Sequence, residues 1–233
     1  MLKLTPILFA IAYAVLAYHF SVWRTKRTLD AQSRPLDEPG LGREIDRLAR
    51  ALDLSHIPVQ IYDIAPVNGL AAPDGRIFLT EGFMQKYREG VVTGEELASV
   101  VAHELGHIAH GHARRRMIDF SGQNAIRVAL ATVLGRFLPG VGLYLAGLLT
   151  SLLAARLSRQ DEYEADEWAS ALLVKAGIGT APQKSLFRKL EGLTGMAGAV
   201  TPAWMLSHPK AAERIAEIER NEARWGLNVR PMR

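Results

Sequence analysis

The sequence predicts a mainly helical α+β fold, with a small β-sheet placed early and an apolar transmembrane helix at the N-terminus. Three observations carry that expectation. Apolar residues recur at helical spacing through most of the 233-residue chain, two short strand-like segments fall between residues 59 and 80, and one near-continuous apolar run opens the sequence. With 48% hydrophobic residues the chain can bury one sizeable core, so one globular domain is expected.

The absence of cysteine excludes disulfides and thiolate metal ligands. A formal net charge of +4 favours an anionic partner. No nucleic-acid-binding motif or aromatic-interleaved basic run is present, so nucleic acid is not expected. The basic residues collect at Arg24–Lys26–Arg27 and Arg114–Arg115–Arg116, both beside apolar segments, which fits anionic lipid headgroups.

Taken in order, the first element is "LTPILFAIAYAVLAYHFSVW", Leu4 to Trp23. Its length matches the roughly 20 helical residues that span a bilayer core. Small-x-small sites fall inside the run rather than after it, so residues 1–23 read as an uncleaved anchor with Tyr18 and Trp23 toward one interface. Residues 24–40 are polar, end in turn formers and read as a tether. Residues 41–233 then form the domain. Leu41, Ile45, Leu48 and Leu52 make one stripe of an amphipathic helix, and "IPVQIYDI" alternates as a strand. A turn at Asp74-Gly75 leads into a second strand, Arg76 to Thr80, and Thr93-x-x-Glu96 is a capping box opening a long helix.

Two hydrophobic arms follow, Ala125–Leu138 and Gly140–Ala155, broken at Pro139-Gly140, so residues 125–155 read as an inserted hairpin. Each arm is shorter than the roughly 20 residues a span needs, and Arg127 and Arg136 add cost at depth. The expectation is a helical hairpin that packs over the site described next or dips into the interface, with two full transmembrane helices as the alternative. A separate helix from Ser158 ends at Gly177, and Pro182 and Pro209 each start another.

The chemistry centres on "HELGHIAHGH", His103 to His112, which holds four of the seven histidines. Helical residues four apart lie roughly 40° apart on one face, so His103 and His107 can aim both imidazoles at one cation with Glu104 beside them. This H-E-x-x-H pattern binds zinc through its histidines and uses its glutamate as general base. On the same wheel His112 lies about 180° from His103 and points away, while His110 returns to the face one turn or more further on. A catalytic zinc takes three protein ligands. The candidates for the third are Asp161, Glu162, Glu164, Asp166 and Glu167 in "SRQDEYEADEWA". Zinc-bound histidines donate their other N–H to a carboxylate or carbonyl, and only Glu162 has a second acid one turn on, at Asp166. Glu162 is therefore the expected ligand and Asp166 the expected partner of a ligand histidine.

"HELGH" followed by "SRQDEYEAD" and "SHPKAAER" resembles, over roughly Leu41 to Trp225, the HtpX-type, CAAX-prenyl-protease-related family of membrane-associated zinc metallopeptidases. The resemblance implies a zincin-like, gluzincin metalloprotease domain with one zinc ion held by His103, His107 and Glu162. It implies Glu104 as catalytic base, Asp166 behind a ligand histidine, and His208 and Arg214 acting at the site. "VNGLAAPDGRIFLTEGF" resembles the family's Asn-Ala-Phe strand segment but reads Asn68-Gly69-Leu70. Family members carry two hydrophobic segments before the catalytic domain, and this chain has one.

The function these features predict is zinc-dependent endopeptidase activity on polypeptides by metal-activated water, in membrane protein quality control, with unfolded or damaged membrane proteins as the expected substrates. The rivals are a processing protease for one substrate and an inactive membrane-protein-binding adaptor; a dead relative would usually lack Glu104, a ligand or the late His/Arg pair. Substrate backbone is expected to pair with an edge strand near Arg76–Thr80, with Asn68, Arg76, Ile77 and Phe78 as its contacts. His208, at the cap before Pro209, is expected either to donate to the oxyanion or to latch the open zinc position, with Arg214 reaching back toward the same loop. Lys3 alone precedes the apolar run and Arg24, Lys26, Arg27 and Arg34 follow it, which places the domain in the cytoplasm. No motif specifies oligomeric state.

Overall fold

The computed structural model describes residues 5–72, 74–112, 131, 136, 142–195 and 210–227. Helix α1 (Thr5–Ala31) is followed by strand β1 (Ser33–Pro35), helix α2 (Pro39–Ala51) and strands β2 (Val59–Tyr62), β3 (Gly69–Ala71) and β4 (Ile77–Thr80). Helices α3 (Glu81–Arg88), α4 (Gly94–Ala109), α5 (Gly142–Lys175), α6 (Ala181–Gly195) and α7 (Ala211–Arg224) complete the described elements.

The four strands form one sheet in the order β1-β2-β4-β3, with β2 and β4 parallel and the outer pairs antiparallel. Helix α4 is the centre of the core. Leu97, Ala98, Val101 and Ala102 are fully buried on it, and Leu41, Ile45 and Leu48 of α2 join the same cluster, as their stripe requires. The capping box is complete: Thr93 Oγ1 accepts from the Glu96 amide and Glu96 accepts from the Thr93 amide.

Residues 24–40, expected as a tether, hold the end of α1, strand β1 and the start of α2. Helix α1 continues through the basic residues to Ala31, because nothing between Arg24 and Ala31 breaks it. Its last turn buries Leu29 against Phe78 and Ala72, and Asp30 pairs with Arg76 at 2.8 Å. Ser33–Pro35 then pairs with β2 as an edge strand, where a proline is tolerated. Among the described residues, no helix is long and apolar enough to cross a membrane.

The helix expected to begin at Ser158 begins at Gly142 and runs unbroken for 34 residues, about 51 Å at helical rise. The composition turns from apolar to acidic along it, but no proline or glycine stands between Gly147 and Gly177 to stop it. The second hydrophobic arm is thus continuous with the acidic segment. The rest of the expected hairpin, apart from Ala131 and Arg136, lies outside the described residues. Pro182 falls in the first turn of α6; α7 starts at Ala211, and Pro209 lies outside the described residues.

Candidate metal centre

Helices α4 and α5 cross at a point where neither has a bulky side chain. A Cβ on Gly106 would stand 2.9 Å from the carbonyl oxygen of Ala165 and 3.0 Å from its Cα. The glycine inside "HELGH" therefore sets how closely the two helices approach. That approach brings Glu162 of α5 over His103 and His107 of α4. His103 Nε2 lies 3.1 Å from His107 Nε2, and Glu162 lies 3.3 Å from the first ring and 3.5 Å from the second. Three ligands about 2.0–2.1 Å from one tetrahedral ion stand roughly 3.3–3.4 Å apart, so this donor set fits a zinc-sized cation. Two neutral imidazoles and a carboxylate are also the ligand types such an ion takes.

Each histidine also has a partner for its other nitrogen. Behind His103, Asp166 Oδ1 lies 2.9 Å from Nδ1. Arg214 of α7 clamps that carboxylate with two bonds, Nε to Oδ2 and Nη2 to Oδ1, both 2.6 Å. Its guanidinium sits 4.1 Å from the centroid of the Phe187 ring. Burial disfavours the charged Asp166, but the Arg214 charge and hydrogen bonds outweigh it and hold its pKa below the usual value. Burial and Arg214 also press the His103 pKa down, and hydrogen bonds to Asp166 and Glu162 overcome them, raising it to about 9.

The described contacts of Arg214 are with Asp166, His103 and the Phe187 ring. The arginine is fully buried on the Nδ1 side of His103, whereas the metal-facing atoms are the Nε2 atoms. Its fork holds Asp166, and its Nη2 lies 3.2 Å from His103 Nδ1. His208 lies outside the described residues.

The position of His112 is a correction. The wheel that turned it away assumed that the helix continues, but α4 ends at Ala109 and Gly111 takes a left-handed conformation, φ +64°. The chain turns back, and His112, buried, places its Nδ1 2.7 Å from His107 Nδ1. Its Nε2 lies 3.3 Å from Glu164 Oε2 and 3.7 Å from Asp161 Oδ1. Burial first, then the neighbouring rings of His107 and His110, lower its pKa against the raising effect of the two carboxylates. His110 is exposed and stacks on the His112 ring with centroids 5.2 Å apart. Among the described residues His110, His112 and Glu164 form a second group with donor atoms within 4.8 Å of one another. The glycine after the last helical residue was the signal in the sequence for this return.

Glu104 is buried on the α4 face toward β3. A Cβ on Gly69 would stand 3.6 Å from Glu104 Oε1 and only 2.5 Å from Val100 Cγ1. Asn68-Gly69-Leu70 thus departs from the Asn-Ala-Phe pattern where Val100 fills the space of the missing methyl.

The expected edge strand is misplaced by one position in the sheet. Strand β4 bonds to β2 on one side and β3 on the other, so Ile77 and Phe78 have no open edge, and both side chains are fully buried. Arg76 is engaged by Asp30 and Asp74. The outer strand on this side is β3, and Asn68 immediately precedes it.

The relatives of known name are proteases. Metalloprotease LoiP of Escherichia coli (strain K12) is 29% identical over 220 residues, covering 89% of this chain and 84% of its own. Metalloprotease YcaL of the same organism is 29% identical over 181 residues, covering 76% and 68%. A protease HtpX homolog of Bordetella petrii is 28% identical over 218 residues, covering 78% and 72%. Residues 35–222 match peptidase family M48, and these relatives carry the name of metalloprotease or protease. The chain belongs to peptidase family M48 and is a metalloendopeptidase.

Proposed function

We propose that the chain is a zinc-dependent endopeptidase, membrane-anchored through its N-terminal helix, that cleaves unfolded or damaged membrane proteins in quality control. The observation that carries the zinc reading is the triangle of His103, His107 and Glu162 donor atoms, 3.1 to 3.5 Å on each side. These three residues would hold the ion. When bound, zinc supplies a Lewis acid for the scissile carbonyl and lowers the pKa of water.

Glu104, adjacent in sequence to His103 and set against β3, takes the proton of the attacking water and returns it to the leaving amine. Asp166 fixes the His103 tautomer, and Arg214 keeps Asp166 ionised. Substrate backbone adds to the outer edge of β3, leaving specificity to a few side-chain contacts. Asn68 supports that reading: its Oδ1 is buried and has no hydrogen-bond partner among the described residues. His208 is retained as the candidate donor to the oxyanion.

Membrane attachment is supported by the apolar run and by Val15, Leu16, Phe20 and Trp23, all exposed on α1. Tyr144 and Leu148, exposed on α5, support the second hydrophobic arm meeting the interface. The positive residues after the run favour a cytoplasmic domain. Proteomics of membranes from cells expressing the intact chain or Glu104→Gln tests the reading. Membrane-protein fragments present only with the intact chain are expected; identical fragment patterns would refute it.

A further inference from the structure

We infer that His112 is a positioning residue for the metal ligand His107, accepting a hydrogen bond from its Nδ1–H and donating in turn from its own Nε2–H to Glu164. The inference rests on His103, His107 and Glu162 being the metal ligands. A neutral imidazole has one N–H and one lone pair. If His107 offers its Nε2 lone pair to a metal, its Nδ1 carries the proton and needs an acceptor. Among the described residues, His112 Nδ1 lies at hydrogen-bond distance, 2.7 Å away. Accepting there requires His112 to carry its own proton on Nε2, the nitrogen facing Glu164 Oε2 at 3.3 Å and Asp161 Oδ1 at 3.7 Å. Every proton in the chain His107–His112–Glu164 then points from donor to acceptor.

Burial favours this use of the ring. His112 is 1% exposed, and the left-handed Gly111 is what returns it to the helix that carries His107. Metal ligation by His112 through Nε2 would reverse the arrangement. Its Nδ1 would then carry a proton and face the Nδ1–H of a metal-bound His107, donor against donor. The group His110–His112–Glu164 and the group His103–His107–Glu162 therefore compete for the His112 proton, and the buried short contact favours support of His107.

The test compares two replacements in the full chain, with zinc affinity read by competition against a chromophoric chelator. His112→Phe fills the space but accepts no hydrogen bond, whereas His112→Asn keeps an acceptor. Loss of such a supporting contact typically weakens metal binding 10- to 100-fold, so His112→Phe is expected in that range and His112→Asn within about threefold of the unmodified protein. Equal affinities in all three proteins would overturn the inference, as would the reverse order, which would show that His112 acts by packing alone. Two zinc ions per unmodified chain, falling to one in His112→Phe with the remaining affinity unchanged, would make His112 a ligand instead. His107→Ala separates the underlying reading: if it binds zinc as tightly as the unmodified protein, the ligand assignment itself has failed.

Discussion

Behind His103 stands a carboxylate clamped by a fully buried guanidinium, whereas behind His107 stands another histidine that leads to the partly exposed Glu164. The first support is ionic and sealed by α7; the second is built from a turn at the end of α4. Both can fix a ring so that Nε2 faces the same point, but they resist perturbation differently. A buried ion pair is costly to break from one side, since the remaining charge has no water to turn to. A carboxylate near solvent can be rehydrated.

The two supports differ most at Arg214. Arg214→Ala leaves Asp166 buried without its cation, and a loss of about 3–5 kcal/mol is expected in chemical denaturation. The corresponding change on the other side is expected to be much smaller.

A pH series on metal-free protein sharpens the same contrast. The folded pKa of His103 is raised to about 9 from an ordinary 6.5, so its contribution is complete below pH 6.5 and lost as pH rises through about 9. The melting temperature of the metal-free chain should carry a falling component across that window. Zinc-loaded protein should lack it, because Nε2 is then committed to the ion.

Gly106→Ala acts on both supports at once by forcing α4 from the Ala165 backbone. Overpacking of this kind costs about 1–3 kcal/mol, and zinc affinity should fall with it. The smallest effect is expected at Glu164→Gln: about 0–1 kcal/mol in stability, as for other partly exposed charge contacts, with zinc still bound. A loss as large as that of Arg214→Ala would erase the distinction between the two sides.

Much of the His103 side was legible in the sequence, because it depends on fixed helical spacings. His103 and His107 are one turn apart on α4, and Glu162 and Asp166 one turn apart on α5, so each pair had to share a face. The partner of Arg214 was not legible, since it follows from how α7 packs across α5. On the His107 side, the wheel placed His112 wrongly because a helix was extended past its glycine stop. The sheet failed for a related reason: Gly69–Ala71 is three residues long, too short for alternation to mark it, and without β3 the interior strand β4 looked like an edge.

The most direct test of the account is the zinc content of purified full chain, Glu162→Ala and Glu164→Ala, measured side by side. About one zinc per chain is expected in the unmodified protein and in Glu164→Ala, and none in Glu162→Ala. Full zinc in Glu162→Ala together with its loss in Glu164→Ala would contradict the assignment of the metal centre.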